Sequence, residues 1–195
     1  NRCPATRHSE TLPSLIMNTN YYSQWFRGAA PYISAHRGKT FVVFLGGDAL
    51  AHTNVTNIVH DLALLHVLGV QLVLVHGGRP QLDEALPESK IHNHRRITEP
   101  HDMPKVTGVY GLLRSQIEGL FSTGLPNTPL HNVDISVVSG NFVTAKPLGV
   151  LDGIDHLLTG QLRSLDSPRI ANLLSAHNLV LQSPLGFSNS GQAFN

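Results

Sequence analysis

The stretches KTFVVFLGG (residues 39–47) and VQLVLVHGG (residues 70–78) decide the predicted fold. Each is an apolar run too short for a helix and ends in two glycines, as is typical of a strand buried on both faces of a parallel sheet. Between them, apolar residues recur at helical spacing after a cap at Thr53 or Asn54, and Gly69 ends the pattern. These apolar positions are Val55, Ile58, Val59, Leu62 and Leu65. Strand, helix and strand in this order predict a right-handed βαβ unit with parallel strands.

The rest of the sequence continues an α/β pattern. Residues 20–36 predict an amphipathic helix that Pro31 is expected to kink or break. A longer helix is predicted over residues 102–121, with an inner face formed by Val106, Val109, Leu112, Leu113, Ile117 and Leu120. Shorter elements are predicted as helices over 81–86 and 167–176, strands over 135–138, 142–145 and 179–182, and hairpins over 91–100 and 186–195. A turn at Gly140 and Asn141 is expected to join the first two of these strands.

Composition restricts the classes of function. The 195 residues suffice for one domain, and 41% apolar and 14% charged residues are ordinary for a globular protein. A formal net charge of +1 gives no reason to expect nucleic acid or an anionic membrane as partner, and no apolar run is long enough to span a bilayer. The single cysteine, Cys3, excludes an internal disulfide and a cysteine-based zinc site, which fits a cytoplasmic location.

The two ends of the chain differ from its middle. Residues 1–16 are polar, contain two prolines and lack the apolar core of a signal peptide, so we expect an upstream or disordered segment, with the natural start at Met17. Residues 17–38 are predicted to form an N-terminal helix and residues 39–195 a partial domain. The predicted sheet lacks a closing helix after its last strand, which suggests a truncated domain.

The two diglycine turns are the first candidate site. Gly46 and Gly47 follow one predicted strand, and Gly77 and Gly78 follow the next. Ligands of open α/β sheets bind at the carboxyl ends of the strands, where backbone N–H groups can approach an anion closely. Two tight turns without a ligand are an equally good interpretation. The triplet at residues 38–40 resembles the end of a P-loop but precedes its strand, so we reject it.

Basic residues and histidines are weaker candidates. Arg79, Arg95 and Arg96 could clamp a carboxylate or phosphate, although surface arginines are more often merely solvated. His92 and His94 would share one face of a strand, but no third metal ligand of suitable spacing follows. We therefore expect no metal site, and no residue pattern indicates a nucleophilic catalyst.

The order of these motifs resembles the amino-acid kinase family, and acetylglutamate kinases in particular. That family has a strand ending in Lys-x-Gly-Gly, a second ending in His-Gly-Gly, and a later segment similar to Arg96-Ile97-Thr98. The resemblance implies a three-layer αβα sandwich with a mainly parallel sheet, here truncated. It also implies that Phe44 occupies the position of the kinase lysine, which argues against phosphoryl transfer because a phenyl ring supplies no charge stabilisation.

A more specific resemblance is to bacterial N-acetylglutamate synthases of the two-domain kind. It is carried by residues 25–43, 57–66, 127–130, 137–142 and 147–150 and runs from about residue 22 to residue 195. It implies a transferase that acetylates L-glutamate with acetyl-CoA in the first step of arginine biosynthesis, with the chemistry in a C-terminal GNAT-type domain. The kinase-like part would be regulatory, sense L-arginine and belong to a homo-oligomer.

The resemblance assigns no catalytic residue and no cofactor to this chain. Gly46, Gly47, Gly77, Gly78 and Arg96 would be remnants of a substrate or phosphate cradle. Two alternatives stay open: an acetylglutamate-kinase-like phosphotransferase, and a non-catalytic module for arginine sensing or oligomerisation.

Overall fold

The computed structural model describes residues 19–122 and 133–195, and only the backbone of residues 19–22. The expected upstream segment, Cys3 and the motif at 127–130 lie outside the described residues. The chain divides into two compact units, Asn1–His36 and Arg37–Asn195. The domain boundaries expected from the sequence stay a prediction.

The elements alternate in type along most of the chain. The helices are α1 (Thr19–His36), α2 (Gly47–Ala51), α3 (Val55–Val67), α4 (Arg79–Ala85), α5 (Met103–Ser122) and α6 (Ser167–Ser175). The first strands are β1 (Thr40–Leu45), β2 (Gln71–His76), β3 (Ile91–His92), β4 (Arg95–Arg96), β5 (Val137–Ser139) and β6 (Val143–Pro147). The later strands are β7 (Val150–Leu151), β8 (Ile154–Asp155), β9 (Gly160–Leu165), β10 (Leu179–Gln182), β11 (Gly186–Phe187) and β12 (Ala193–Phe194).

Helix α1 forms the described part of the first unit. It runs through Pro31 without a break, so of the two expected effects of this proline the break does not occur, and the kink stays a prediction. A proline removes one backbone N–H from the ladder, and a helix can continue past the gap when both flanking turns form. Trp25, Phe26 and Tyr32 are exposed on this helix.

The second unit is built on a parallel four-stranded sheet in the order β1-β2-β10-β5. Leu72 and Leu74 of β2 face a core shared with α3 and α5. Val73, on the opposite face, packs with Leu174 of α6 and with Phe142. Alternate residues of one strand therefore serve two cores, which confirms the three-layer α/β sandwich and the parallel pairing predicted for the first two strands.

Strand β1 departs from its prediction. It lies at the sheet edge, and its residues alternate in exposure instead of being buried throughout. Phe41 and Val43 pack on the core under α3 and α5, whereas Val42 and Phe44 are each 69% exposed on the opposite face. The expectation of a strand buried on both faces was wrong because α6 packs over β2 and β10 and leaves this side of β1 uncovered.

A second sheet has the order β12-β11-β6-β9. Strand β6 pairs antiparallel with β9 and parallel with β11. The predicted turn at Gly140 and Asn141 lies between β5 and β6. Because β5 belongs to the other sheet, this turn moves the chain from one sheet to the next. The antiparallel pairing of β11 and β12 confirms the predicted last hairpin.

Two isolated hairpins complete the fold. In β3–β4 the turn residues are Asn93 and His94, with φ of 47° and 60°. In β7–β8 they are Asp152 and Gly153, with φ of 52° and 78°. Two-residue loops with both φ values positive are type I′ turns, which match the twist of the strands they join. The second hairpin was missed, although Asp-Gly directly between apolar residues, here Leu151 and Ile154, is a hairpin signal.

Helix α5 has a different inner face from the predicted one. Val106, Leu113 and Ile117 are buried as predicted. Leu112 is 62% exposed, so its assignment to the inner face was wrong. Met103, Tyr110 and Phe121 were not predicted but are buried, because this side of the helix packs against α4 at one end and the sheet at the other.

Candidate functional site

The two diglycine turns lie side by side at the carboxyl edge of the parallel sheet. The N–H of Gly77 donates to the carbonyl of Leu45 over 2.7 Å, which joins the ends of β1 and β2. A Cβ on Gly77 would lie 3.3 Å from the nitrogen of Gly47 and 3.4 Å from Cα of Gly46. The turns therefore approach more closely than side chains would comfortably allow.

Gly47 and Gly78 are needed for packing on the helices that follow. A Cβ on Gly47 would lie 2.4 Å from Oε1 of Gln81, whose Nε2 donates to the Gly47 carbonyl over 2.8 Å. A Cβ on Gly78 would lie 2.7 Å from Leu113 and 2.8 Å from Tyr110 of α5. Packing alone thus accounts for glycine at both positions.

Phe44 lies directly beside these turns. A Cβ on Gly77 would be 3.1 Å from Cζ of the Phe44 ring, and one on Gly46 would be 3.7 Å from its Cε1. The ring is otherwise exposed on the uncovered face of β1. The open side of the glycine turns is consequently bordered by an apolar ring at this position.

Arg96 lies apart from the glycines. It lines a small pocket of about 110 Å³ with Arg79, Asp83, His94, Tyr110 and Asn195, among others, and none of the four candidate glycines lines that pocket. The structure thus brings the two diglycines together but does not bring Arg96 into the same cavity.

The guanidinium of Arg96 is already occupied by protein groups. It contacts the carboxylate of Asp83 and the hydroxyl of Ser89, and it donates to the carbonyl of Leu86 over 3.0 Å. Its side chain is only 9% exposed. A ligand anion would have to displace these internal partners, so Arg96 serves here to join β4 to the segment around α4.

A buried hydrogen-bond network lies beside this pocket. Tyr110 donates to Oδ1 of Asn195 over 3.0 Å, and Nδ2 of Asn195 donates to Oγ1 of Thr98 over 2.9 Å. The Thr98 N–H donates to Oγ1 of Thr159 over 3.0 Å, and that hydroxyl donates to the carbonyl of Arg96 over 2.6 Å. Segments separated by up to 97 residues in sequence are joined by this network.

Burial changes the acid–base properties of two groups near the sheet edge. It raises the pKa of Tyr110 to about 12, so this residue is a neutral hydrogen-bond donor at physiological pH. It lowers the pKa of His76, although contact with the Gly77 carbonyl acts in the opposite direction. The fully buried His76 is therefore neutral at pH 7.

The other sequence candidates do not converge on a site. His92 is in β3 but His94 is in the turn, so the condition under which they would share a strand face is not met. Within residues 19–122 and 133–195, no group of three or more His, Cys, Asp or Glu residues is arranged to hold a metal ion. Sequence reasoning missed Tyr110 and Thr159, since no local pattern marks residues whose partners are distant in sequence.

The region that contains both sheets matches a known protein family. The model of the amino acid kinase family matches residues 39–195. The chain belongs to the amino acid kinase family. The match covers the whole parallel sheet and begins one residue before β1.

Relatives of known name are similar over most of this chain. An amino-acid acetyltransferase of Proteus mirabilis is 48% identical over 174 residues, which is 87% of this chain and 39% of the relative. The crystal structure of an N-acetylglutamate synthase from Neisseria gonorrhoeae, in complex with coenzyme A and L-arginine, matches this chain with a TM-score of 0.78 at 34% identity. The match covers 89% of this chain and 42% of the synthase chain. A second structure of that synthase, with coenzyme A and N-acetyl-glutamate, has the same TM-score and identity.

The chain is much shorter than these relatives. The chain spans about 40% of the length of the curated relatives it matches. No helix in the described part of the chain is long and apolar enough to cross a membrane.

Proposed function

We propose that this chain is the front, kinase-like part of an amino-acid N-acetyltransferase of the N-acetylglutamate synthase type. The observation that carries the proposal is the 48% identity to a curated amino-acid acetyltransferase over 87% of the chain. The proposed reaction moves the acetyl group of acetyl-CoA to the amino nitrogen of L-glutamate. The thioester C–S bond breaks, an amide C–N bond forms, and coenzyme A and a proton leave.

The chemistry of the proposed reaction is assigned to a part of the protein outside this chain. The four candidate glycines have no side chain to act as nucleophile or base, and the Arg96 guanidinium is occupied by Asp83, Leu86 and Ser89. Gly46, Gly47, Gly77, Gly78 and Arg96 are proposed to be remnants of a kinase cradle that now serve packing.

The kinase alternative is the weaker one. Phosphoryl transfer requires positive charge at the transferring group. Phe44 places an exposed phenyl ring beside the glycine turns, at the position that the family resemblance gives to the kinase lysine. This observation favours a regulatory role for the kinase-like fold.

Regulation by L-arginine and assembly into a homo-oligomer are further parts of the proposal. The Neisseria gonorrhoeae synthase was crystallised with L-arginine, which supports an arginine-sensing role for the fold in this protein as well. Acetyl-CoA as co-substrate is supported by the coenzyme A in the same structures. A cytoplasmic location rests on the family resemblance and the single cysteine.

The test uses the full-length protein that contains this chain. With acetyl-CoA and L-glutamate we expect coenzyme A release and N-acetylglutamate by mass spectrometry, and neither when glutamate is omitted. A parallel reaction with ATP and N-acetylglutamate should form no ADP. ADP formation without acetyl transfer would overturn the proposal in favour of the kinase. Stabilisation by arginine with neither reaction would favour the non-catalytic sensor.

A further inference from the structure

A cavity of about 340 Å³ opens at the carboxyl edge of the parallel sheet, on the side where α5 packs. Helix α5 contributes Tyr110, Gly111 and Arg114 to its lining. The segments at the ends of β5 and β10 supply other lining residues, including Asn141 and Phe187. Neither the two diglycine turns nor the Arg96 side chain lines it, so this cavity differs from the candidate sites described above.

The topology of the sheet favours a ligand site at this place. The chain leaves β2 towards α5, which packs on one face of the sheet, and it leaves β5 towards α6, which packs on the other face. Strand β10 lies between β2 and β5, so the two connections diverge around its carboxyl end. In open α/β sheets, such a switch of direction creates the crevice in which ligands bind.

The size and the lining of the cavity fit a small molecule. Clefts that bind such ligands usually measure roughly 300–1,000 Å³ and are mostly apolar, with a few polar groups that orient the ligand. Here the rings of Tyr110 and Phe187 and the side chain of Leu185 form the apolar part. Asn141 and Arg114 add hydrogen-bond donors to it.

Arg114 carries the only charge among the described residues that line the cavity. Its Nε lies 3.5 Å from Oε1 of Glu118, one turn further along α5. The same oxygen accepts the hydroxyl of Ser139 over 2.6 Å. Glu118 does not line the cavity, so it orients the guanidinium from outside. A guanidinium has five N–H donors, more than one carboxylate can accept, so donors remain for a ligand.

The charges around the cavity favour an anion. Burial lowers the pKa of the nearby His76, and the positive charge of Arg114 lowers it further, so this charge acts at the sheet edge. A second guanidinium is close, because Nη1 of Arg169 donates to Oδ1 of Asn141 over 3.3 Å. No carboxylate side chain lines the cavity within the part of the chain that the structure describes.

We propose that this cavity binds a small aliphatic carboxylic acid in its ionised form, with the carboxylate at Arg114 and the hydrocarbon body against Leu185 and Phe187. Hydrogen bonds between a guanidinium and a carboxylate are stronger than those to a neutral group. A phosphate fits less well, since it would place further charged oxygens against apolar side chains. The inference concerns binding alone and does not depend on the proposed acetyltransferase function.

The experiment is a calorimetric titration of the full-length protein that contains this chain, with 4-methylpentanoate as the probe. The uncharged amide of the same shape, 4-methylpentanamide, is the matched ligand control. We expect one carboxylate to bind per subunit and the amide to bind at least about tenfold more weakly, because hydrogen bonds to charged groups contribute more than neutral ones. Equal affinity for the two probes would overturn the proposal.

Three variants locate the binding site. Arg114→Met removes the charge at similar chain length and should weaken binding of 4-methylpentanoate by at least about tenfold. Gly111→Leu should abolish binding, because a Cβ at Gly111 has no atom within 4 Å and a leucine there would fill the cavity. Arg163→Met is the matched control: Arg163 is exposed on β9 and lies outside the cavity lining, so the Kd should not change.

Melting curves without ligand show whether each variant folds. Gly111→Leu keeps every polar group of the site and replaces a helical glycine by a better helix former, so it tests the proposal even if Arg114→Met does not fold. Absence of 4-methylpentanoate binding by the wild type, or an unchanged affinity in Gly111→Leu, would overturn the proposal. Equal weakening by Arg163→Met would also overturn it, since it would show unspecific attraction to a positive surface.

Discussion

Replacement of Thr159 by valine tests whether the buried network at the sheet edge stabilises the fold. Valine has nearly the same shape, so the change removes a hydroxyl without opening a large cavity. The hydroxyl accepts from the Thr98 N–H over 3.0 Å and donates to the Arg96 carbonyl over 2.6 Å. Thr98 is fully buried and Thr159 is 7% exposed, so water cannot easily replace either bond.

The expected loss follows from the two groups left unpaired. A buried donor or acceptor without a partner costs about 1–3 kcal/mol, so the two groups together should lower the free energy of unfolding of Thr159→Val by about 2–6 kcal/mol. For a domain of this size, 1 kcal/mol corresponds to roughly 2–4 °C in Tm. We therefore expect Tm to fall by roughly 4–24 °C.

Calorimetry and hydrogen exchange are the assays. Tm gives the global effect, and the exchange rate of the Thr98 amide gives the local one, since that amide loses its acceptor. Thr107→Val is the matched control, because Thr107 is exposed on α5 and should change stability by less than about 0.5 kcal/mol. If Thr159→Val has the same Tm as Thr107→Val and the Thr98 amide exchanges no faster than in the wild type, the reasoning about the network is refuted.

Two further predictions concern the packing and the ionisation of groups at the same edge. Gly78→Ala places a Cβ 2.7 Å from Leu113, and this overpacking should lower the free energy of unfolding by about 1–3 kcal/mol. The control Gly111→Ala adds a Cβ with nothing within 4 Å and should stabilise α5 by up to about 1 kcal/mol. A urea midpoint for Gly78→Ala at or above that of Gly111→Ala would contradict this. The pKa of Tyr110 is raised to about 12 from its ordinary value of 10.0, so its neutral form stabilises the fold below pH 10 and this contribution disappears as pH rises from 10 to 12. Urea midpoints of the wild type should fall more steeply over that range than those of Tyr110→Phe, and parallel curves would show that Tyr110 does not contribute.

The central strands were predictable because their surroundings are uniform. Strands β2 and β10 have helices on both faces, so nearly every residue is apolar and the pattern is readable locally. Strand β1 has the same kind of sequence, yet it lies at an edge. Whether a helix covers the face that holds Val42 and Phe44 is decided by distant parts of the chain, so local composition could not show it.

The candidate site, like the fold, was predictable from the sequence only in part. The meeting of the two diglycine turns follows from the geometry of adjacent parallel strands and was predictable. The separation of Arg96 from these turns was not predictable, because its contact with Asp83 depends on how hairpin β3–β4 packs on α4. The hairpin around Asp152 and Gly153 could have been found, since its turn chemistry is local.

The position of β2 between β1 and β10 also sets an order of events during synthesis. Strand β2 ends at residue 76, but its second partner begins at residue 179, and Thr98 acquires its Asn195 partner 97 residues later. At about 5–20 residues per second, a ribosome needs roughly 5–20 s to supply these partners. For that interval the edge of β2 that later pairs with β10 stays unpaired. The nascent chain therefore exposes an apolar strand edge of the kind that chaperones shield until the domain has folded.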